Sequence, residues 1–138
     1  MTLYVLDTDH LSLYERGFAP LQERLQIHFS NRFAITVIST EEQVAGRLAQ
    51  IRKSSSQTLV AAYQRLRETI AVFSDFEILD YDSDAEKQFW ELRKLGIRIG
   101  TLDLRIASVA LVQNGIVLTR NLRDFEQVPQ LKIENWSV

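Results

Sequence analysis

The sequence predicts an α/β protein whose parallel sheet is covered by helices on both faces. Three observations carry that reading. Short apolar runs at Thr2–Leu6, Phe33–Ile38, Phe76–Leu79, Ile116–Leu118 and Leu131–Trp136 have the length of strands and are distributed along the whole chain. Most segments between them place apolar residues at helical spacing, so crossover helices can return the chain for a parallel neighbour. Ile116-Val117-Leu118 is short, apolar at every residue and β-branched at two of the three, which suits a strand buried from both sides. At 138 residues, without internal repeats or a domain-boundary linker, residues 1–138 are expected to form one domain around a substantial core.

The elements follow in order. The first strand ends abruptly in Asp7-Thr8-Asp9-His10, and Leu11–Glu15 reads as a short helix with Asp9 as its expected cap. It is broken at Gly17 and Pro20, and a helix from about Pro20 carries Leu21, Leu25 and Phe29 at core spacing. After the second strand, Ser39 and Glu42 have the spacing of a capping box, and the helix they open carries Val44, Leu48 and Ile51 on one face. Lys53–Gln57 reads as a turn, and the next helix repeats Leu59, Tyr63, Leu66, Ile70 and Phe73. Two helices without an intervening strand predict a projecting hairpin whose apolar faces need a partner. Ser83 and Glu86 cap a helix with Phe89, Leu92 and Leu95, stopped by Gly96. Thr101 caps the following helix and places Asp103 in its first turn, with Leu102, Ile106, Val109 and Ala110 on its apolar face. Asn114-Gly115 stops it, and beyond the fourth strand Thr119, Asn121 and Asp124 put polar side chains where the chain leaves the sheet.

Composition narrows the function. Apolar residues are 46% of the chain and charged residues 25%, ordinary values for a water-facing globular protein. No window approaches a bilayer span and no signal pattern precedes Leu3, so a cytoplasmic location is expected. Cysteine is absent, which excludes disulfides, thiolate metal sites and a cysteine nucleophile. The net charge of −2 hides a bias among the cations, most of which are arginine, the better phosphate binder.

Parallel sheets place ligand sites beyond the carboxyl ends of their strands. Asp7 and Asp9 follow the first strand, Glu42 the second and Asp124 the fourth, while Asp103 opens the helix before the fourth. If these ends are neighbours, several carboxylates share one pocket, and like charges there resist joint ionisation without a cation. Hard divalent ions with oxygen ligands, Mg²⁺ or Mn²⁺, resolve that cost and suit phosphodiester hydrolysis. Structural readings stand beside this one: Glu42 in a capping box, Asp103 on a helix dipole, Asp124 as a turn residue before Pro129. Asp7 has the fewest, because an acid directly after a buried strand is costly. The acids between Asp75 and Glu86 read as a solvated face. His10 and His28 fit no metal-ligand spacing and read as structural, and Trp136 reads as a lid on the core.

Four blocks carry a family resemblance: Leu6–Asp9, Ser39–Gly46, Ile99–Ala107 and Thr119–Phe125, with the ending Leu131–Trp136. In order and spacing they resemble PIN-domain ribonucleases of the VapC toxin type. The resemblance implies a three-layer α/β/α sandwich with a mostly parallel sheet. It implies a Mg²⁺ (or Mn²⁺) site of Asp7, Glu42, Asp103 and Asp124, which are also the catalytic set, with Asp7 and Asp103 the firmest. Thr8, Asp9, Thr119 and Asn121 match positions supporting the pocket, although Asp9 stands where asparagine is usual and Glu41 where a small residue is common. The implied reaction is endonucleolytic hydrolysis of RNA, such as tRNA, by a metal-activated water, in a homodimer restrained by a cognate antitoxin. The apolar-striped hairpin is the expected antitoxin surface. Arg98, Arg105, Arg120 and Arg123 are candidates for holding RNA phosphates.

Two other readings fit parts of the chain. Asp7-Thr8-Asp9 after a strand imitates the nucleophile and acid of a haloacid-dehalogenase-like phosphatase. That class needs a later lysine near the phosphate, and Lys87 and Lys94 fall on an ordinary helix. A catalytically inert PIN-like module binding RNA or protein would be expected to have lost acids, and all four are present.

Overall fold

The computed structural model describes residues 1–138. Strands β1 (Leu3–Leu6), β2 (Arg32–Thr36), β3 (Glu77–Leu79), β4 (Ile116–Leu118) and β5 (Lys132–Glu134) form one sheet in the order β3-β2-β1-β4-β5. Every neighbouring pair is parallel. Seven helices accompany them: α1 (Thr8–Glu15), α2 (Ala19–Ile27), α3 (Val37–Lys53), α4 (Leu59–Val72), α5 (Ser83–Lys94), α6 (Thr101–Val112) and α7 (Leu122–Phe125). None is long and apolar enough to cross a membrane.

The pleat sorts β1 onto both faces, as a two-residue period requires. Leu3 and Val5 pack with Phe89, Leu104 and Ala107, whereas Tyr4 and Leu6 pack with Leu11, Leu21 and Trp136. Helices therefore cover both faces, and the expected three-layer sandwich is present. β4 matches its predicted range, and β2 ends sooner than its apolar run because Val37 and Ile38 already belong to α3.

Strand order sets the site. The chain builds β1, β2 and β3 in one direction and then returns to lay β4 and β5 on the other side of β1. The order reverses between β1 and β4, and in open parallel sheets the ligand crevice lies at such a switch point, beyond the carboxyl ends. α6 ends at Val112, just before β4 begins, so it runs back along the sheet and its first turn sits at the carboxyl edge. That crossover brings Asp103 to the same edge as Asp7.

The turn from α6 into β4 is tight. Asn114 adopts φ 56°, and a Cβ on Gly115 would stand 2.8 Å from Val5 Cγ2. Gly115→Ala is therefore expected to cost about 1–3 kcal/mol by forcing β1 and β4 apart, measured as a fall in denaturant midpoint.

Several sequence expectations change. Asp7, not Asp9, caps α1, its Oδ1 accepting from His10 N at 2.8 Å. α3 opens at Val37 with Thr36 as cap, so Ser39 and Glu42 form no capping box. Gly100 precedes α6 where Thr101 was expected to cap, and Asp82 rather than Ser83 caps α5. Phe29 lies beyond α2 and is 80% exposed, because the helix stops at Ile27 before its apolar period reaches it. The α3–α4 hairpin does present an uncovered apolar face: Leu48, Leu59, Val60, Tyr63 and Ile70 are all exposed.

Candidate metal centre

Each acid reaches the carboxyl edge by a different local rule. Asp7 is the first residue after β1 and is held as the α1 cap, 4% exposed. Glu42 stands in the second turn of α3, freed from capping duty, and its Oε1 accepts from Thr8 Oγ1 at 2.5 Å. Thr8 Oγ1 also lies 3.0 Å from the Ser39 hydroxyl, from which it can accept, so the start of α1 is tied to α3. Asp103 lies in the first turn of α6, and Asp124 on α7, where Asn121 Nδ2 donates to its Oδ2 at 2.9 Å. Thr119, fully buried, accepts the Asn121 backbone N–H at 2.8 Å and fixes the loop that carries that amide.

The four acids act on one another. Burial pushes the Asp103 carboxyl up to about 6, and the charges of Asp7, Glu42 and Asp124 push in the same direction. The Asn121 amide draws it partly back. The charges of three carboxylates thus reach a fourth at the carboxyl edge of the sheet. A pocket of hard oxygen donors with excess negative charge is chemically suited to a hard divalent cation. The donor set fits such an ion.

Asp9 is spent elsewhere. Arg120 Nε and Nη2 each reach its carboxylate at 2.6 Å, a bidentate pair that holds the Asp9 carboxyl below its usual range. The pair bridges the start of α1 to the loop after β4. It also occupies the acid that a haloacid-dehalogenase-like phosphatase would use. On spacing alone Asp7, Asp9 and His10 form a metal-type group, with ligand atoms within 4.8 Å of one another. Within that group Arg120 already engages Asp9, and His10 Nε2 already accepts the Trp136 backbone N–H at 3.2 Å.

The arginine candidates separate. Arg120 is committed to Asp9 at the pocket rim. Arg105, two residues from Asp103 and so on a different side of α6, lies over the Phe89 ring at 5.7 Å and faces α5. Arg98 lines a separate cleft with Arg93 and Ile97, and Arg123 makes no ion pair. Sequence reasoning missed a polar cleft lined by Ser12, Glu15, Arg16, Arg47, Arg65 and Glu68. Gln43 donates to Ser12 Oγ at 2.7 Å, joining α3 to α1, and Arg47 Nε donates to Thr69 Oγ1 at 2.8 Å, joining α3 to α4. Ser12 follows Thr8 by four residues, and Gln43 and Arg47 follow Glu42 by one and five, which was the available signal.

Fold and site together define a class: doubly wound proteins with acidic side chains at the switch point, a donor set that could hold a metal ion. Residues 4–131 match the PIN domain. Ribonuclease VapC2 of Haemophilus influenzae is 32% identical over 130 residues, covering 84% of this chain and 96% of that protein. The tRNA(fMet)-specific endonuclease VapC of Salmonella typhimurium is 28% identical, over 84% and 83% of the two chains. DNA-bound VapBC from Salmonella typhimurium superimposes with a TM-score of 0.79 at 29% identity, over 99% of each chain. The chain belongs to the PIN-domain family, among its VapC ribonucleases.

Proposed function

We propose that residues 1–138 act as one PIN domain, a Mg²⁺- or Mn²⁺-dependent endoribonuclease that is the toxin of a toxin–antitoxin pair. The half-buried Asp103, acted on by the charges of Asp7, Glu42 and Asp124, carries the reading, because like charges so placed are costly without a cation. Asp7 and Asp103 are the central ligands, with Glu42 and Asp124 completing the set. When bound, a divalent ion supplies a more acidic water and neutralises charge on the phosphodiester. Thr8 orients Glu42, Asn121 orients Asp124, and Thr119 holds Asn121. Asp9 supports the pocket through Arg120, bracing α1 against the loop that carries Asp124.

RNA is the proposed substrate, with structured RNA such as tRNA favoured by the Salmonella relative's specificity. Arg98, Arg120 and Arg123 are proposed to meet its phosphates, and Arg16 and Arg65 of the polar cleft offer further cations. Arg105, stacked on Phe89, is the weakest of the original set. The protein is proposed to work in the cytoplasm as a homodimer. A small antitoxin is proposed to cover the exposed Val60, Tyr63 and Ile70 of α4, as the VapBC assemblies it resembles pair two proteins.

Digestion of total RNA with end mapping tests this. Recurrent cleavage ends are expected with Mg²⁺ or Mn²⁺, and none with EDTA or with Asp7→Asn. Cleavage that persists in Asp7→Asn, or no cleavage with metal, overturns the reading.

A further inference from the structure

We propose that His10 is a positioning residue for Asp7, using its Nδ1–H to hold Oδ1 so that Oδ2 is the oxygen offered to the metal. The proposal rests on Asp7 being a metal ligand, as argued above. His10 is fully buried, as is Trp136, whose backbone N–H donates to Nε2 at 3.2 Å. A neutral imidazole has one donor and one acceptor nitrogen. With Nε2 accepting, the proton resides on Nδ1.

Nδ1 is the one buried side-chain nitrogen or oxygen in the protein that lacks a hydrogen-bond partner. It lies 3.5 Å from Asp7 Oδ1. That oxygen already accepts from His10 N at 2.8 Å, so backbone and ring of one residue address the same carboxylate oxygen. No protein hydrogen bond is made to Oδ2. A few tenths of an ångström of carboxylate movement would complete the Nδ1–H bond, and a cation drawing on Oδ2 would turn the carboxylate without displacing Oδ1. Hydrogen-bonded partners of ligating side chains commonly set ligand orientation in this way.

The support for the ring comes from the far end of the chain. The Trp136 indole packs against Tyr4 (4.6 Å) and His28 (4.8 Å), and its Nε1 donates to Glu134 Oε1 at 2.9 Å. The C-terminal segment is thus anchored on both sides of the backbone amide that sets the His10 tautomer. Trp136 is more than a core lid.

Two measurements test the assignment. A long-range ¹H–¹⁵N spectrum of the metal-free wild type is expected to show His10 with a protonated Nδ1 and bare Nε2. Mg²⁺ should then move the His10 Nδ1 signal and leave that of His28 in place. A protonated Nε2, or a His10 ring that ignores bound Mg²⁺, overturns the proposal without a variant having to fold. Calorimetry with Mn²⁺ then compares two conservative changes. His10→Gln keeps an acceptor for Trp136 N–H but no donor for Asp7, and is expected to weaken Mn²⁺ binding about tenfold. His10→Asn keeps a donor near the Nδ1 position and is expected to bind within about threefold of wild type, although it loses stability. Equal weakening in both, or none in His10→Gln, overturns the positioning role. A wild type that binds no Mn²⁺ sinks the metal reading itself, and this proposal with it.

Discussion

Asp103→Asn is expected to lower RNA cleavage at least about 100-fold while leaving the metal-free protein as stable as wild type or slightly more so. The two outcomes have one cause. The Asp103 carboxyl sits near 6 rather than the usual 3.8, because burial and three neighbouring carboxylates disfavour its charge. That shift corresponds to roughly 3 kcal/mol in full, and partial exposure of the group reduces it to about 1–2 kcal/mol. Asparagine removes the charge, keeps an oxygen that can accept from Asn121, and removes the repulsion. It also removes a central ligand, so activity falls as stability holds. RNA cleavage and a urea midpoint on the same preparation check both. A variant that unfolds would instead assign Asp103 to the α6 dipole.

The second large effect is a metal-dependent reversal of pH sensitivity. A carboxyl whose folded pKa is raised binds its proton more tightly when folded. Its stabilisation is complete below about 3.8, declines as pH rises toward about 6, and is absent above. Asp9 has the opposite sign: Arg120 holds its pKa low, so its contribution is present above the usual carboxylate range and is lost as pH falls through the lowered value. The difference between wild type and Asp103→Asn isolates the first effect, and it should widen against wild type from pH 4 to pH 6.5. Divalent metal competes with the proton, so its stabilisation should grow across the same window. With free ion at about 100 times its dissociation constant, the gain is about 2.7 kcal/mol, or roughly 8–10 °C in Tm. Melting curves at pH 4.5 and 7.5, with Mn²⁺ or EDTA, measure it. A gain that is equal at both pH values, or larger at pH 4.5, would contradict the shared pocket.

Much of this arrangement was legible in the chain. β4 could be read directly, because Ile116-Val117-Leu118 has no amphipathic alternative and Asn114-Gly115 marks its entry. Asp7 was legible as a candidate because it stands directly after a buried strand, where charge has few structural excuses. Helix starts were less so. Thr36, Asp7 and Asp82 are all capable caps, but Ser39, Asp9 and Ser83 lie within a few residues and satisfy the same local rules. The choice is made by where the strand stops, which depends on β-pairing. Asp103 was the hardest acid to place, because its position depends on the direction of α6, which only the crossover to β4 supplies. Longer-range pairs left no local trace at all. Arg120 is separated from Asp9, and Trp136 from His10, by nearly the whole chain, and only the sheet order brings them together.

Four carboxylates on the sheet's carboxyl edge are proposed to hold a divalent ion. Crystals soaked in Mn²⁺ and measured for anomalous scattering test it most directly. The expected map has a peak about 2–2.2 Å from carboxylate oxygens of Asp7 and Asp103, with Glu42 or Asp124 in its shell. No peak at millimolar Mn²⁺, or a peak held by Asp9 and His10, would contradict it.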